Sequence, residues 1–315
     1  MTDAESVTIL RAKGRRLAKT IAADGTIIGF AEAKRFDLFE RPVANLEALA
    51  RLLRQLEQRC DCCIVRGKPA HPERVKNVRR LLYPDRETGD QPTLVEVPRR
   101  WLALDIDHLA RPDCIDPADL LGCAVVAIRK LPLEFQKAAF SVQATASHGL
   151  KPGIRLRLWA WLSRPVVGAE LKYWLRRVPV DRSIFGAAQV IYTAAPIFLP
   201  GSFDPLPSRI DVVPGAESVS VPPPARLKPR ERSLGQPHRQ AHGNISGLIR
   251  TVETATVAAN RNNALYWAAC RVAEMDIDRV AAARDLEQAA IRAGLSEKEA
   301  AATVRSALRQ GGGHG

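Results

Sequence analysis

Alternation of apolar and polar side chains predicts β-strands in the middle of the chain, because alternate residues of a strand share a face. Residues 101–107 carry one apolar face, formed by Leu102, Leu104 and Ile106. Residues 154–162 alternate more cleanly: one face is aliphatic and the other carries Arg155, Arg157, Trp159 and Trp161. Residues 140–147 alternate in the same way, and together with the Gly-containing loop 148–153 they predict a β-hairpin.

Helical spacing of apolar residues marks other parts of the chain. Residues 45–58 place leucines at helical intervals after Asn45, which is a plausible N-cap. A second helix is expected at residues 169–177. Residues 245–309 are rich in Ala, Leu, Glu and Arg at helical period, with Gly294 as a break before a last helix that starts near Ser296.

These patterns give a domain plan. A chain of 315 residues is long enough for about two domains. We expect an α/β (α+β) catalytic core over residues 1–215, made of a mixed α/β unit at 1–95 and a strand-rich part at 96–215. The Pro- and Arg-rich residues 216–244 are expected to form a basic linker. Residues 245–310 are expected to form a small all-α domain.

The net charge of the chain indicates which kind of molecule it binds. The chain has 47 Lys and Arg against 34 Asp and Glu, a net charge of +13, and a basic protein of this kind usually binds phosphate in nucleic acids or nucleotides. No window approaches 18 uncharged apolar residues, so no transmembrane helix and no membrane partner are expected. The polar, acidic residues 1–5 do not resemble a signal peptide, and a cytoplasmic location is expected.

The six cysteines are expected to be reduced. Cys60, Cys62 and Cys63 lie close together but lack the paired spacing of a structural zinc site, and they run into an apolar segment. Buried free thiols on a strand are therefore the favoured interpretation, with zinc as the alternative.

Asp105 and Asp107 form the first chemical motif. Both side chains lie on the face opposite the apolar one, roughly 7 Å apart along the strand. Two neighbouring carboxylates repel each other, and a divalent cation such as Mg²⁺ or Mn²⁺ relieves that repulsion. The alternative is a strand that ends in a solvated acidic turn.

A second group of polar residues surrounds the hairpin turn. Its members are Ser147, His148, Lys151, Arg155 and Arg157. Guanidinium groups, a hydroxyl and exposed backbone N–H groups are able to cradle a triphosphate. The alternative is the solvated polar face of an antiparallel sheet. Further along the chain, Asp181 follows a Pro-flanked apolar step and by itself predicts a turn or a helix N-cap.

The order of these motifs resembles the archaeo-eukaryotic primase superfamily, in particular the small primase-polymerases of plasmids, phages and integrated elements. The resemblance covers roughly residues 95–215 and 258–310. It implies an RRM-like antiparallel-sheet core followed by a helical domain. It also implies that Asp105, Asp107 and Asp181 bind two catalytic metal ions, Mg²⁺ or Mn²⁺. Ser147, His148 and Lys151 match the family's nucleotide contacts, and Arg155 or Arg157 stands near a position where the family usually has histidine.

The sequence therefore predicts a template-dependent nucleotidyl transferase, a DNA primase or primase-polymerase that makes primers for a mobile element. Its partners would be single-stranded DNA, nucleoside triphosphates and a separate replicative helicase, because no P-loop motif is present. Two alternatives stay open: a non-catalytic DNA-binding replication initiator, and a metal-dependent nuclease that uses the same acids.

Overall fold

The computed structural model describes residues 5–85, 87–224, 245–255, 258–273 and 277–311. The chain divides into two compact units, Met1–Arg230 and Glu231–Gly315. The architecture is mixed α/β, with antiparallel sheets in the first unit and helices in the second.

The first unit contains the strands and three α-helices of the described residues. Its strands are β1 (Ser6–Arg11), β2 (Thr20–Ile21), β3 (Ile27–Ile28), β4 (Asp37–Pro42), β5 (Cys62–Val65), β6 (Lys68–Pro69), β7 (Leu94–Val95), β8 (Arg99–Leu109), β9 (Phe140–Ala144), β10 (Ile154–Val166), β11 (Ile191–Tyr192), β12 (Ile197–Phe198) and β13 (Ile210–Val213). Its helices are α1 (Leu46–Glu57), α2 (Leu120–Ile128) and α3 (Gly168–Trp174), with short 3₁₀ turns at Leu133–Phe135 and Arg182–Phe185.

The central sheet is antiparallel and has the strand order β13-β9-β10-β8. The predicted hairpin is confirmed as β9 and β10, and the predicted strand at 101–107 is confirmed as part of β8. The register places Arg157 of β10 opposite both Asp105 of β8 and Gln143 of β9. Both faces of the sheet are covered: Leu158 and Trp159 point in opposite directions and are both fully buried. The alternative of a solvated polar face is therefore wrong.

A second sheet, of order β11-β5-β1-β4, joins the N-terminal part of the chain to this core. The Asn45 side chain caps α1 by accepting a hydrogen bond from the Ala48 N–H at 2.9 Å, as its sequence predicts. Leu53 of α1 and Ile64 of β5 belong to the same hydrophobic cluster as Trp101 of β8. Residues 1–95 therefore share a core with the strand-rich part that follows and do not pack as a separate unit.

The residues just after 215 also pack on the first unit. Val219 is fully buried, its N–H donates to the Trp161 carbonyl at 2.7 Å, and its own carbonyl accepts from the Ser163 N–H at 2.9 Å. Arg164 Nη2 donates to the Pro222 carbonyl at 3.0 Å. Residues 216–222 thus continue the core, because Val219 completes its apolar packing. The rest of the expected linker, 225–244, lies outside the described residues.

The second unit is helical over its described residues. Its helices are α4 (Ser246–Glu253), α5 (Ala258–Ala273), α6 (Arg279–Arg292) and α7 (Glu297–Gly311). They bury a core that includes Leu265, Leu286 and Val304. Gly294 has a φ of +99°, which favours glycine, and Ser296 and Glu299 bond reciprocally in a capping box before α7. In the part of the chain that the structure describes, no helix is long and apolar enough to cross a membrane.

Candidate functional site

A cleft of about 220 Å³ opens where the central sheet meets the second sheet. Both sheets and the segments next to β2 and β3 supply its walls. Among its lining residues are Lys19, Phe30, Asp105, Asp107, Gln143, Ser147, Arg157, Asp181 and Tyr192. The cleft therefore brings together all three predicted catalytic aspartates, with one serine and one arginine of the predicted nucleotide cradle.

Asp105 and Asp107 reach the cleft from β8, where their two-residue spacing places them on one face. Their environments differ: the Asp105 side chain is 15% exposed and that of Asp107 is 50% exposed. One oxygen of Asp105, Oδ2, accepts from Arg157 Nη2 at 3.1 Å. The other, Oδ1, is buried without a hydrogen-bond partner among the described residues. A buried carboxylate oxygen without a partner can accept a hydrogen bond or bind a cation.

Arg157 holds Asp105 in place. It lies on β10 directly across from Asp105, and its Nη1 donates to the carbonyl of Tyr192 in β11. One buried guanidinium thus connects three strands from two sheets. Because its fork is planar and rigid, it fixes the Asp105 carboxylate relative to the Tyr192 wall of the cleft.

Arg155 has a different role from the one its sequence position predicts. A register shift between β10 and β8 occurs beside it, and its guanidinium lies 3.6 Å from Asp107 Oδ1 and 2.6 Å from His108 Nδ1. It is buried and lies outside the lining of the cleft. In this arrangement Arg155 neutralises Asp107 and does not present a free cation to a triphosphate.

Asp181 meets β8 through its backbone, because its N–H donates to the carbonyl of Asp105 at 2.9 Å. Its carboxylate accepts from the backbone N–H and the hydroxyl of Ser183, both at 2.8 Å, and so caps the 3₁₀ turn. No group of three or more His, Cys, Asp or Glu side chains in the described ranges is gathered closely enough to hold a metal ion. The pair Asp105 and Asp107 therefore offers the better ligands, with Asp181 at the same cleft but engaged locally.

The remaining predicted nucleotide contacts belong to the hairpin turn, and only one of them lines the cleft. Ser147 lines the cleft, whereas Lys151 is exposed and lies outside its lining. His148 is fully buried: its Nδ1 accepts from the Arg155 N–H at 3.2 Å and its Nε2 donates to the Pro117 carbonyl at 2.8 Å. Burial lowers the pKa of His148, so the ring is neutral at physiological pH. This histidine joins the turn to the segment before α2 and is not oriented toward the cleft.

Two aromatic rings in the cleft have no counterpart in the predicted site. Phe30 and Tyr192 stack with ring centroids 3.5 Å apart and planes within 8° of parallel. Lys19 Nζ lies 5.4 Å from the Phe30 ring centroid, within cation–π range. The parallel pairing of β12 with β2 joins this segment to a later part of the chain. A flat aromatic surface beside a lysine can stack a nucleobase.

The cysteines contribute nothing to the cleft. All six are free thiols. Burial raises the pKa of Cys62 to about 12 and raises that of Cys63 further, so both thiols are protonated at neutral pH. Cys62 and Cys63 are buried on β5 as predicted, whereas Cys60 lies before the strand and is exposed.

Comparison with known proteins gives few matches. No protein-family model matches the chain. Over 191 residues, 54% of the chain, it is 28% identical to a protein of Escherichia phage T5 named as a replication origin binding protein. The match spans 19% of that protein, so the chain covers about a fifth of its length. The crystal structure of primase RepB' aligns with 99% of this chain and 90% of its own at 10% identity, with a TM-score of 0.27, too low to assign a fold. By sequence, the chain is thus similar to one segment of a phage protein whose name refers to replication.

Proposed function

We propose that the first unit is a template-dependent nucleotidyl transferase, a DNA primase or primase-polymerase that acts on single-stranded DNA. The observation that carries the proposal is the buried Asp105 Oδ1, which lacks a hydrogen-bond partner in the described part of the chain. Asp105 lines a cleft that also contains a second carboxylate, a fixed arginine and an aromatic surface. A purely structural ion pair would not require an open cleft beside it.

The donor set fits a divalent cation. Asp105 and Asp107 are the residues that would hold it, because they lie on one face of β8. Mg²⁺ is commonly bound by one or two carboxylates, with water and substrate phosphates completing its coordination. Bound there, Mg²⁺ or Mn²⁺ would supply positive charge for the transferring phosphate and lower the pKa of the attacking hydroxyl. The two-metal form of the proposal adds Asp181, whose carboxylate would exchange its contacts with Ser183 for a cation.

The other residues have roles that follow from their contacts. Arg157 positions Asp105, and its charge lies close to the site where the triphosphate would bind. Ser147 supplies a hydroxyl to the same cleft, and Phe30 with Tyr192 would stack the base of the incoming nucleotide or of the template. His148 supports the turn that carries Ser147 and is a positioning residue in this scheme.

The chain order of the central sheet supports the RRM-like core of the proposal. β8 is followed by α2, the β9–β10 hairpin, α3 and, after a segment containing β11 and β12, β13. Strand, helix, hairpin, helix and strand is the element order of a split β-α-β unit, and β8, β10 and β9 lie side by side in the order of that unit. The fourth strand departs from the RRM order, because β13 pairs with β9 and not with β8. The name of the phage T5 relative supports DNA as the partner and replication as the process. The same proposal includes replication of a mobile element, a separate helicase as a partner and a cytoplasmic location.

One observation favours a second function, a non-catalytic origin-binding protein. Each candidate carboxylate has an arginine partner: Arg157 Nη2 lies 3.1 Å from Asp105, and Arg155 Nη1 lies 3.6 Å from Asp107. Arginine can neutralise both acids without a metal ion. In that case the basic protein would bind DNA and perform no transfer.

An assay of the full chain separates these functions. The protein is incubated with labelled nucleotides and single-stranded DNA in Mg²⁺ or Mn²⁺, with and without an annealed primer. Labelled extension products would support the transferase. Strand binding without products would support the origin-binding function, and shortening of the strand would show a metal-dependent nuclease.

A further inference from the structure

A second, strongly basic depression lies on the first unit and takes no part in the candidate site. Its volume is about 510 Å³, and we call it the basic pocket, defined by Arg11, Lys13, Arg15, Lys34 and Arg35. Two carboxylates, Glu32 and Asp37, also line it. Five cations against two carboxylates leave three positive charges uncompensated within the pocket.

Asp37 forms salt bridges with two of these cations, Arg11 and Lys13. It is buried, and its Oδ2 lies 3.2 Å from Arg11 Nη2, 3.3 Å from Lys13 Nζ and 3.9 Å from Lys76 Nζ. Its Oδ1 accepts from the Asn77 N–H at 3.0 Å, and these donors lower the pKa of Asp37. One carboxylate therefore holds two pocket cations and Lys76 together, and its single negative charge leaves two of these three positive charges uncompensated. The cations remain available to solvent, since the Lys13 and Lys34 side chains are 72% and 82% exposed.

The basic pocket and the candidate site are joined by two adjacent segments of chain. The first supplies Arg15 to the pocket and, four residues later, Lys19 to the cleft. The second supplies Phe30 to the cleft and then Lys34 to the pocket. A backbone hydrogen bond joins the two segments: the Ala31 N–H donates to the Arg16 carbonyl at 2.9 Å. Pocket and cleft are thus neighbouring parts of one surface.

We propose that the basic pocket binds the phosphodiester backbone of a single DNA strand and leads that strand to the cleft. The inference rests on the proposed function in taking this strand as the template. Arg11 and Lys13 meet at Asp37, whereas Lys34 Nζ lies 3.6 Å from Glu32 and Arg35 Nη1 donates to the Asn77 carbonyl at 2.9 Å. Cations held at separate partners suit successive phosphates better than a single phosphate group. Flexible lysines bind phosphates as point charges without reading sequence. The aromatic surface of Phe30 and Tyr192 would receive the bases where the strand enters the cleft.

The test compares two triple variants of the full chain that remove the same charge. The pocket variant is Lys13→Ala/Arg15→Ala/Lys34→Ala, and all three side chains are exposed. The matched control is Arg129→Ala/Lys130→Ala/Lys137→Ala, three exposed cations of the same unit that lie outside the pocket. Affinity for a fluorescent oligo-dT strand is measured between 50 and 200 mM salt, with thermal melting to verify folding. Extension of a pre-annealed primer is measured at saturating DNA.

The pocket variant is expected to bind the strand roughly tenfold more weakly at 50 mM salt, with a salt slope smaller by about two, because about three phosphate contacts are lost. The control is expected to keep most of the affinity and to extend the primer like the wild type. Equal weakening by both variants, or none by the pocket variant, would overturn the inference while leaving the proposed function intact. If the wild type shows no extension but the binding contrast persists, the proposed function fails and the pocket remains a strand-binding site.

Discussion

Asp105 and Arg157 face each other across neighbouring strands, and Arg157 Nη2 donates to Asp105 Oδ2 at 3.1 Å. The second oxygen of the same carboxylate is buried and has no hydrogen-bond partner within the described residues. The arginine thus satisfies one oxygen of the carboxylate and leaves the other without a hydrogen bond, at a residue that lines the cleft. The contact between Asp105 and Arg157 therefore stabilises the sheet and also positions the carboxylate that we propose as a metal ligand.

The pair should be energetically coupled. Removing either partner leaves a buried group uncompensated, so Asp105→Asn and Arg157→Gln should each lower the free energy of unfolding, by about 3–5 kcal/mol for the arginine. The double variant should lose less than the sum of the two, because neither partner is then left alone. Urea denaturation of all four proteins measures this coupling. Exposed Arg129→Gln is the control and should change stability by less than about 0.5 kcal/mol. Strict additivity would show that the two side chains do not interact.

The aromatic surface should affect nucleotide use. Phe30→Ala removes one ring of the stack, and base stacking on an aromatic side chain contributes about 1–3 kcal/mol. We therefore expect the KM for nucleotide in primer extension to rise by roughly tenfold or more. Tyr192→Phe keeps the ring and should stay near wild type. Phe203→Ala, at an exposed ring outside the cleft, is the matched control. An unchanged KM in Phe30→Ala would exclude the ring from binding the base of the incoming nucleotide, and an unchanged affinity for single-stranded DNA would exclude it from binding the template bases.

His148 predicts a pH dependence of stability. Burial holds its folded pKa below the unfolded value of about 6.5, so the unfolded chain binds more protons in the window between the two. The neutral His148 therefore makes its full contribution to the free energy of unfolding above pH 6.5, and that free energy falls as the pH drops through the window. His148→Gln should be less stable at pH 7.5 but should lose less stability on going to pH 5.5. Urea midpoints at the two pH values test this, and the other five histidines are common to both proteins. Parallel pH profiles would contradict the burial of a neutral ring.

The boundary of the first unit can be tested by truncation. A chain ending at residue 224 retains Val219 and its two hydrogen bonds to Trp161 and Ser163 of β10, whereas a chain ending at residue 215 loses them. Since full burial of a valine contributes about 1.5–3 kcal/mol, the longer fragment should melt at a clearly higher temperature. Differential scanning calorimetry of the two fragments gives the comparison. Equal melting temperatures would show that residues 216–224 add nothing to the core.

Local pattern predicts those parts of the site that depend on one strand or one helix. The two-residue period of β8 is sufficient to place Asp105 and Asp107 on one face, and the alternation of β10 places Arg157 on the buried face with Trp159. Asn45 and the Ser296–Glu299 capping box are recognisable because caps are made by neighbours in sequence.

Long-range packing decides the rest. Phe30 and Lys19 lie next to β3 and β2, and β2 pairs with β12, some 180 residues away, in a contact that no local period encodes. His148 looks like a loop ligand in sequence, yet the Pro117 carbonyl 31 residues earlier binds its ring and buries it. The register that pairs Arg157 with Asp105 also brings Arg155 to Asp107, and the alternation within β10 alone does not encode which strand lies beside it or in which register.

The most direct measurement is nucleotide incorporation by the wild type and Asp105→Asn, paired with single-strand affinity for both. Asparagine keeps the size of the side chain but offers a neutral ligand, so incorporation in Mg²⁺ or Mn²⁺ should fall by at least about a hundredfold, with strand affinity within about threefold of wild type. Asp113→Asn, at an exposed acid outside the cleft, should retain full activity. Incorporation by Asp105→Asn within a few-fold of the wild type, or no incorporation by a wild type that binds the strand, would contradict a catalytic role for this carboxylate.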